Sequence, residues 1–460
     1  MEPAPSEAIL DEARVHLEKA LEIDPEFARA RLALAKLHNE EGRQGEALQL
    51  LREAIDSHPT LSDARLLLAE ILLQDDQEAE AIQQLQAVAD IDTSDHVSRR
   101  QLANILIAKG DTKKAANLLT RVVDLAPLDG DAHLQLAVLL EHPDDFERAQ
   151  LLLEIAADLL PDDPRPPYQM ALLLLRGEYT DAEGSLIVAP NAEAAQKHLQ
   201  VTVRLDPHHG PAHLQLGQIR HGALDFRAAR RHYRHASEDP RSVGYANLQL
   251  AKLAEKEGKT KDIRPLLDKA VKQSASCGDA LLERAAYFLR EEKVSEAEKD
   301  LKAAEKTFAA TELALSKASD EASAMANFAQ ARRLQEKAFV ARRAKGPAWL
   351  SLGQIRLSKG SEKEAVSFLE RALEANPGLY EARFTLATLL EGTDRDEEAL
   401  AHLEAVLEAN WSHVEAHFRL GERALKDKEL QKAEMHFLIV TDITPNHKAA
   451  KLRLRKLIKK

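Results

Sequence analysis

The sequence predicts an all-α chain of stacked helix pairs, and three observations carry that expectation. Aromatic residues fill only 4% of the 460 positions while charged residues fill 30%, with Ala and Leu plentiful and β-branched runs scarce. Such a composition favours helix almost throughout. The pentapeptide AHLQL occurs twice, at Ala132–Leu136 and Ala212–Leu216, and the offset of 80 residues is two periods of 34 plus 12. An offset of that kind is the mark of a repeat array carrying one insertion. Finally, a single cysteine, Cys277, rules out a disulfide framework and supplies no metal-ligand spacing, so packing alone must hold the fold.

The period is legible in Ala28–Leu61, where small and apolar residues (Leu34, Ala35, Leu37, Ala47, Leu51, Ala54) fall at helical spacing, interrupted at Gly42 and closed by Pro59. Repeats started at Ala28, Ser62, His96, Gly130, Pro164, Gly210, Gly244, Gly278, Gly346, Tyr380 and Val414 place Ala or Gly at position 8 every time. Position 20 is Ala in all of them except the seventh, which has Ile263. Proline recurs at position 32 as Pro59, Pro127, Pro161, Pro207, Pro377 and Pro445, where it forbids continuation of the second helix. This pattern resembles the tetratricopeptide repeat, whose small residues at positions 8, 20 and 27 let two antiparallel helices nest. The resemblance implies a right-handed superhelical solenoid of helix-turn-helix repeats.

Taken in order, residues 1–27 read as a lone second helix ending at Pro25, either a cap or the remainder of a trimmed pair. Residues 28–304 read as an array of about eight repeats, with the extra 12 residues forming a longer turn near 176–192. A turn of that length either contacts a partner or is a tolerated insertion, since lengthening a loop costs little entropy. Residues 305–345 are Ala-rich and lose the signature, and read as a degenerate repeat or longer helix pair, the best candidate for a bend or a subdomain boundary. Three further repeats occupy 346–447, and 448–460 reads as a basic capping helix with Leu454 turned inward.

Charge is uneven. Met1–Leu160 holds 15 Lys and Arg against 32 Asp and Glu, near −17, and the rest holds 48 against 44, near +4. An acidic front repels phosphates, so nucleic acid is not an expected partner. No apolar stretch of about 18 residues and no secretory signal pattern is present, and a cytoplasmic location is expected. Membrane contact is expected only, if at all, through the basic C-terminal helix. No GxSxG, P-loop, HExxH or CxxC pattern occurs, and a stack of helix pairs offers no convergent reaction centre. The expectation is a non-enzymatic scaffold or adaptor without cofactor or metal, binding a protein or extended peptide and supporting assembly or localisation of a complex.

The family resemblance implies that position 6 faces the concave groove. That position is Gln101, Gln135, Gln169, Gln215 and Gln249 in five successive repeats. An amide both donates and accepts, so such a row can pair with an extended backbone whatever its side chains; the plainer reading is a frequent soluble residue. The family's clamp for a C-terminal carboxylate maps onto Arg100, Asn104, Gln135, Arg165 and Gln169, with Gln135 replacing an Asn and Gln169 replacing a cation. A chaperone-type cofactor using Arg100, Asn104 and Arg165 is therefore one alternative, and solvated arginines are the other reading. A regulatory or substrate-presenting region of a larger enzyme is a third. Arg227, Arg230, Arg231 and Arg234, interleaved with Tyr233, form a basic patch that fits an acidic protein, a phosphate or the acidic front of a second copy, and self-association enters on that ground. His209, His213, His232 and His235 have metal-compatible spacing but no completing ligand, and read as exposed helix histidines.

Overall fold

The computed structural model describes residues 7–140, 145–176, 179–180, 186–188, 191–273, 278–324 and 328–458. Cys277, Lys459 and Lys460 lie outside them. The chain forms two compact units that divide at Pro207 and His208.

In the first unit, α1 (Glu7–Ile23) is followed by the pairs α2 (Ala28–Glu40) with α3 (Gln44–Ser57) and α4 (Ser62–Gln74) with α5 (Glu78–Ile91). The series continues with α6 (His96–Ala108) and α7 (Thr112–Leu125), α8 (Gly130–Leu139) and α9 (Phe146–Leu159), then α10 (Arg165–Arg176) and α11 (Ala192–Leu205). The insertion was expected as a plain long turn. It instead carries two short strands, β1 (Tyr179–Thr180) and β2 (Leu186–Val188), paired antiparallel with Tyr179 opposite Val188. At its far end Asn191 donates its backbone N–H to the Leu174 carbonyl at 3.0 Å, and its side chain caps α11 by accepting from the Ala194 N–H.

In the second unit, α12 (Gly210–Gly222) pairs with α13 (Phe226–Ala236), and α14 (Val243–Lys256) with α15 (Thr260–Gln273). Helix α16 (Gly278–Arg290) precedes two 31-residue helices, α17 (Val294–Ala324) and α18 (Phe328–Ser358). Residues 305–324 and 328–345 therefore belong to two long helices, and α18 runs through Pro347 into what the period reads as the next repeat. The pairs α18 with α19 (Glu362–Ala375), α20 (Tyr380–Leu390) with α21 (Asp396–Ala409), and α22 (Val414–Lys426) with α23 (Leu430–Ile443) follow, and α24 (Lys448–Ile458) closes the unit. Helix α24 buries Ala450 and Leu454 and packs beside Phe437 and Val440, while Leu452 stays exposed.

One set of contacts explains why each pair forms. The small residues at positions 8 and 20 are buried in every repeat, with Ala35, Ala47, Ala103, Ala115, Ala285 and Ala297 wholly inaccessible. At Gly353 the approach is close enough that an added Cβ would lie 3.4 Å from the Ala365 carbonyl oxygen, whereas the seventh repeat buries Ile263 at position 20. Position 24 fills the remaining space. It is Leu51, Leu85, Leu119, Leu153, Leu199, Leu267, Leu301 and Leu403 opposite Ala, and Tyr233 or Phe437 opposite Gly217 or Gly421.

The turn within eight of the pairs is equally regular. Position 15 has a left-handed backbone at Gly42, Gly110, Gly258 and Gly360, and also at Asp76, Leu224, Glu292 and Lys428. The next residue donates back five positions, as Arg43 to the His38 carbonyl and Asp111 to the Leu106 carbonyl, both at 2.8 Å. That bond closes a Schellman motif and satisfies carbonyls the helix end would otherwise leave open. Glycine adopts this conformation freely, and the four other residues hold it at a cost.

Candidate functional site: the first-helix face and the basic patch

Within the first unit, Gln101 on α6, Gln135 on α8 and Gln169 on α10 occupy the same turn of successive first helices. Gln101 is exposed and the other two are half-buried. No side-chain hydrogen bond joins any of the three to another described residue, and the buried Gln135 Oε1 has no donor among them. Asn104, one turn further along α6, is also exposed. In the second unit Gln215 on α12 and Gln249 on α14 are half-buried at the corresponding positions.

The two arginines nearest these amides are already engaged. Arg100 donates to Asp129 at 2.7 Å. Arg165 donates through Nε to both carboxylate oxygens of Asp163, at 3.0 and 2.8 Å, and through an Nη to Asp131 at 2.8 Å. The hydrogen bond from Arg165 holds the Asp163 carboxyl below its ordinary range. Pro166 and Pro167 sit in the first turn of α10, where missing N–H groups do no harm, and both are buried. Helix α10 thus begins at Arg165 without distortion by them, and a carboxylate arriving here has to compete with three carboxylates of the chain itself.

The basic patch lies on α13. Arg227, Arg231 and Arg234 are exposed, and Arg230 is ion-paired with Glu257. Tyr233 is not part of that surface: it is fully buried beneath Gly217, the core stripe of α13 being Ala229, Tyr233 and Ala236. The histidines are likewise built into the fold rather than displayed. His209 caps α12 by accepting from the Ala212 N–H at 3.1 Å, and His213 is buried with its Nδ1 3.0 Å from His232 Nδ1. Only His235 is exposed, with its ring stacked on His213 at 4.8 Å. Burial, then the neighbouring His213 and Arg231, hold the His232 imidazole down at about 4. The eleventh repeat copies the arrangement: His413 caps α22, and His417 Nδ1 meets His436 Nδ1 at 2.9 Å. His417 Nε2 pairs with the Trp411 carbonyl at 2.8 Å, which makes Nε2 the protonated nitrogen and leaves Nδ1 to accept from His436. Among the described residues no group of three His, Cys, Asp or Glu side chains is arranged to hold a metal ion, and no helix is long and apolar enough to cross a membrane.

A chain of short helix pairs with small residues at every crossing and an amide-lined first-helix face defines a repeat-built interaction module. Models of the tetratricopeptide repeat match residues 39–103, 106–175 and 356–416, and also 10–62 and 317–380. Together they cover more than half of the chain, and the protein belongs to the tetratricopeptide repeat family. No curated protein matches it. Among solved structures it is similar to YrrB, a tetratricopeptide repeat protein with an unusual peptide-binding site, at 18% identity over 43% of this chain and 95% of that one, TM-score 0.37. It is also similar to yeast Tom70, at 16% identity over 98% and 96%, TM-score 0.38. A third is the human IFIT1 dimer with m7Gppp-AAAA, at 14% identity over 100% and 96%, TM-score 0.42. These likenesses carry no functional residue across to this chain.

Proposed function

We propose that the protein is a non-enzymatic scaffold that binds an extended peptide or protein segment on its first-helix face and thereby supports assembly or localisation of a complex. The observation that carries this reading is the row Gln101, Gln135 and Gln169, three amides at one repeat position with no side-chain hydrogen bond to another described residue. An unpaired acceptor shielded from water costs about 1–3 kcal/mol, and a ligand N–H that reaches it recovers part of that cost. A peptide backbone offers such donors at regular intervals and is recognised largely without regard to sequence. Gln215 and Gln249 extend the same chemistry to the second unit.

The carboxylate clamp draws less support, because Asp129, Asp131 and Asp163 already neutralise Arg100 and Arg165. Affinity purification tests the main reading. Proteins retained by the intact chain should be lost when all five glutamines are changed to Ala, and kept when Arg227 and Arg231 are changed to Ala instead. Equal recovery on the five-alanine chain would refute it. A peptide that binds with the same affinity in free-acid and amidated forms would remove the clamp.

A further inference from the structure

A groove within the second unit is charged in a way the amide row does not use. Arg230 and Arg234, one turn apart on α13, line the groove together with Lys259, which precedes α15, and Lys269 on α15. Leu250 and Ala254 of α14 form the floor, and the cavity between them measures about 390 Å³. Arg230 and Lys259 share Glu257, whose carboxyl their hydrogen bonds hold below its ordinary range. Arg234 and Lys269 are exposed and have no carboxylate partner among the described residues, and Asp262 is the one acid on the wall. The cationic side chains therefore outnumber the acids, over an apolar floor.

The first unit carries the complement. Between Arg65 and Arg99 there is no Lys or Arg, while Glu70, Asp75, Asp76, Glu78, Glu80, Asp90, Asp92 and Asp95 fall in that span. Glu78 and Glu80 are neutralised by Lys109 and Arg52. Glu70, Asp75 and Asp76, at the end of α4 and its turn, are exposed and have no cationic partner among the described residues. The geometry points to a second copy of this chain as the occupant of the groove: the acidic α4 corner of one copy docks against Arg234 and Lys269 of the next. The two surfaces are different, so the contact is heterologous, and each copy still offers one free surface after the first contact forms. Single exposed ion pairs are weak, so the association rests on several and falls steeply with salt.

Sedimentation velocity of the whole chain at about 20 mM and about 500 mM salt tests this. Species larger than a monomer are expected at low salt, growing with protein concentration and absent at high salt. Arg234→Ala with Lys269→Ala removes the charge of the groove, and Glu70→Gln with Asp75→Asn removes the charge of the corner. Either pair alone should leave a monomer with unchanged helical circular dichroism. Mixed in equal amounts, the two variants still supply one intact groove and one intact corner, so a 1:1 pair that cannot grow further is expected, and it shows both variants folded. A monomeric wild type at low salt, assembly that survives both pairs of neutral substitutions, or a mixture that stays monomeric would each overturn the proposal. So would binding of a synthetic peptide spanning residues 70–80 by a chain that never self-associates, since the groove would then accept acidic peptides without pairing copies.

Discussion

Replacing Gly217 with Ala should destabilise the sixth repeat although alanine is the better helix former. A Cβ built at Gly217 would lie 2.4 and 2.5 Å from Cε1 and Cδ1 of Tyr233 and 3.1 Å from Cζ. Carbon atoms in contact sit about 3.5–4.0 Å apart, so the ring or the helix must move by about 1 Å. Tyr233 is fully buried and has nowhere to swing. Overpacking of this kind costs about 1–3 kcal/mol, and the gain in helix propensity returns only about 1 kcal/mol. The expected net loss is up to about 2 kcal/mol, confined largely to α12 and α13 because each repeat couples mainly to its neighbours. Amide hydrogen exchange of those helices, beside thermal unfolding of the whole chain, is the measurement. Gly421→Ala meets Phe437 at 2.7 Å and should behave alike, whereas Gly353→Ala meets Leu369 at 3.2 Å and should be close to neutral. Adding Tyr233→Leu to Gly217→Ala recreates the Ala-with-Leu pairing of the other repeats, so the double variant should be more stable than the summed single losses. Exchange rates at or below wild type for Gly217→Ala, or strict additivity in the double variant, would refute the packing argument.

Leu224 holds a left-handed backbone at φ 61 while 73% exposed, so Leu224→Gly relieves about 1–2 kcal/mol of backbone strain against about 0.5–1 kcal/mol of added chain entropy; a raised melting temperature is expected, and a lowered one would show that the turn is not strained. Acidification should weaken the sixth repeat. The folded His232 titrates at about 4, below the ordinary 6.5, so the unfolded chain takes up the proton first. Stability from this residue is complete above 6.5 and is lost as pH falls from 6.5 through about 4. Burial also lowers His417, against the opposing hydrogen bond to the Trp411 carbonyl, and burial and then the neighbouring His417 lower His436, adding a change of the same sign in the eleventh repeat. Melting curves across that range for wild type and His232→Gln should differ in slope; parallel curves would exclude the His213–His232 pair as a source.

The helix pairs were legible because position 8 and position 20 tolerate so little volume that the sequence can hardly vary there: Ala35, Ala69 and Ala103 announce one crossing after another. The left-handed turns were only half legible, since Gly42 and Gly110 reveal the conformation while Leu224 and Lys428 conceal it by enduring it. Tyr233 was misread as surface because arginines surround it in sequence, although Ala229, Tyr233 and Ala236 keep the spacing of a core stripe. The His213–His232 pair spans 19 residues and two helices, and becomes readable once positions 4 and 23 are compared with His417 and His436. What engages the arginines was hidden too: the partner of Arg100 lies 29 residues away and one partner of Arg165 lies 34 away, separations that mean nothing until the repeats are stacked.

Helix α18 has a mechanical consequence. Between α13 and α14, α19 and α20, and α21 and α22 a short turn separates the second helix of one repeat from the first helix of the next, leaving a seam at which a tug on the chain can peel off a single pair. Across Gly346 and Pro347 that seam is missing, and a rod of about 46 Å passes through it. Under load the helices α16 to α19 should therefore give way together in one larger step, with the shorter pairs α20–α21 and α22–α23 yielding separately beside them.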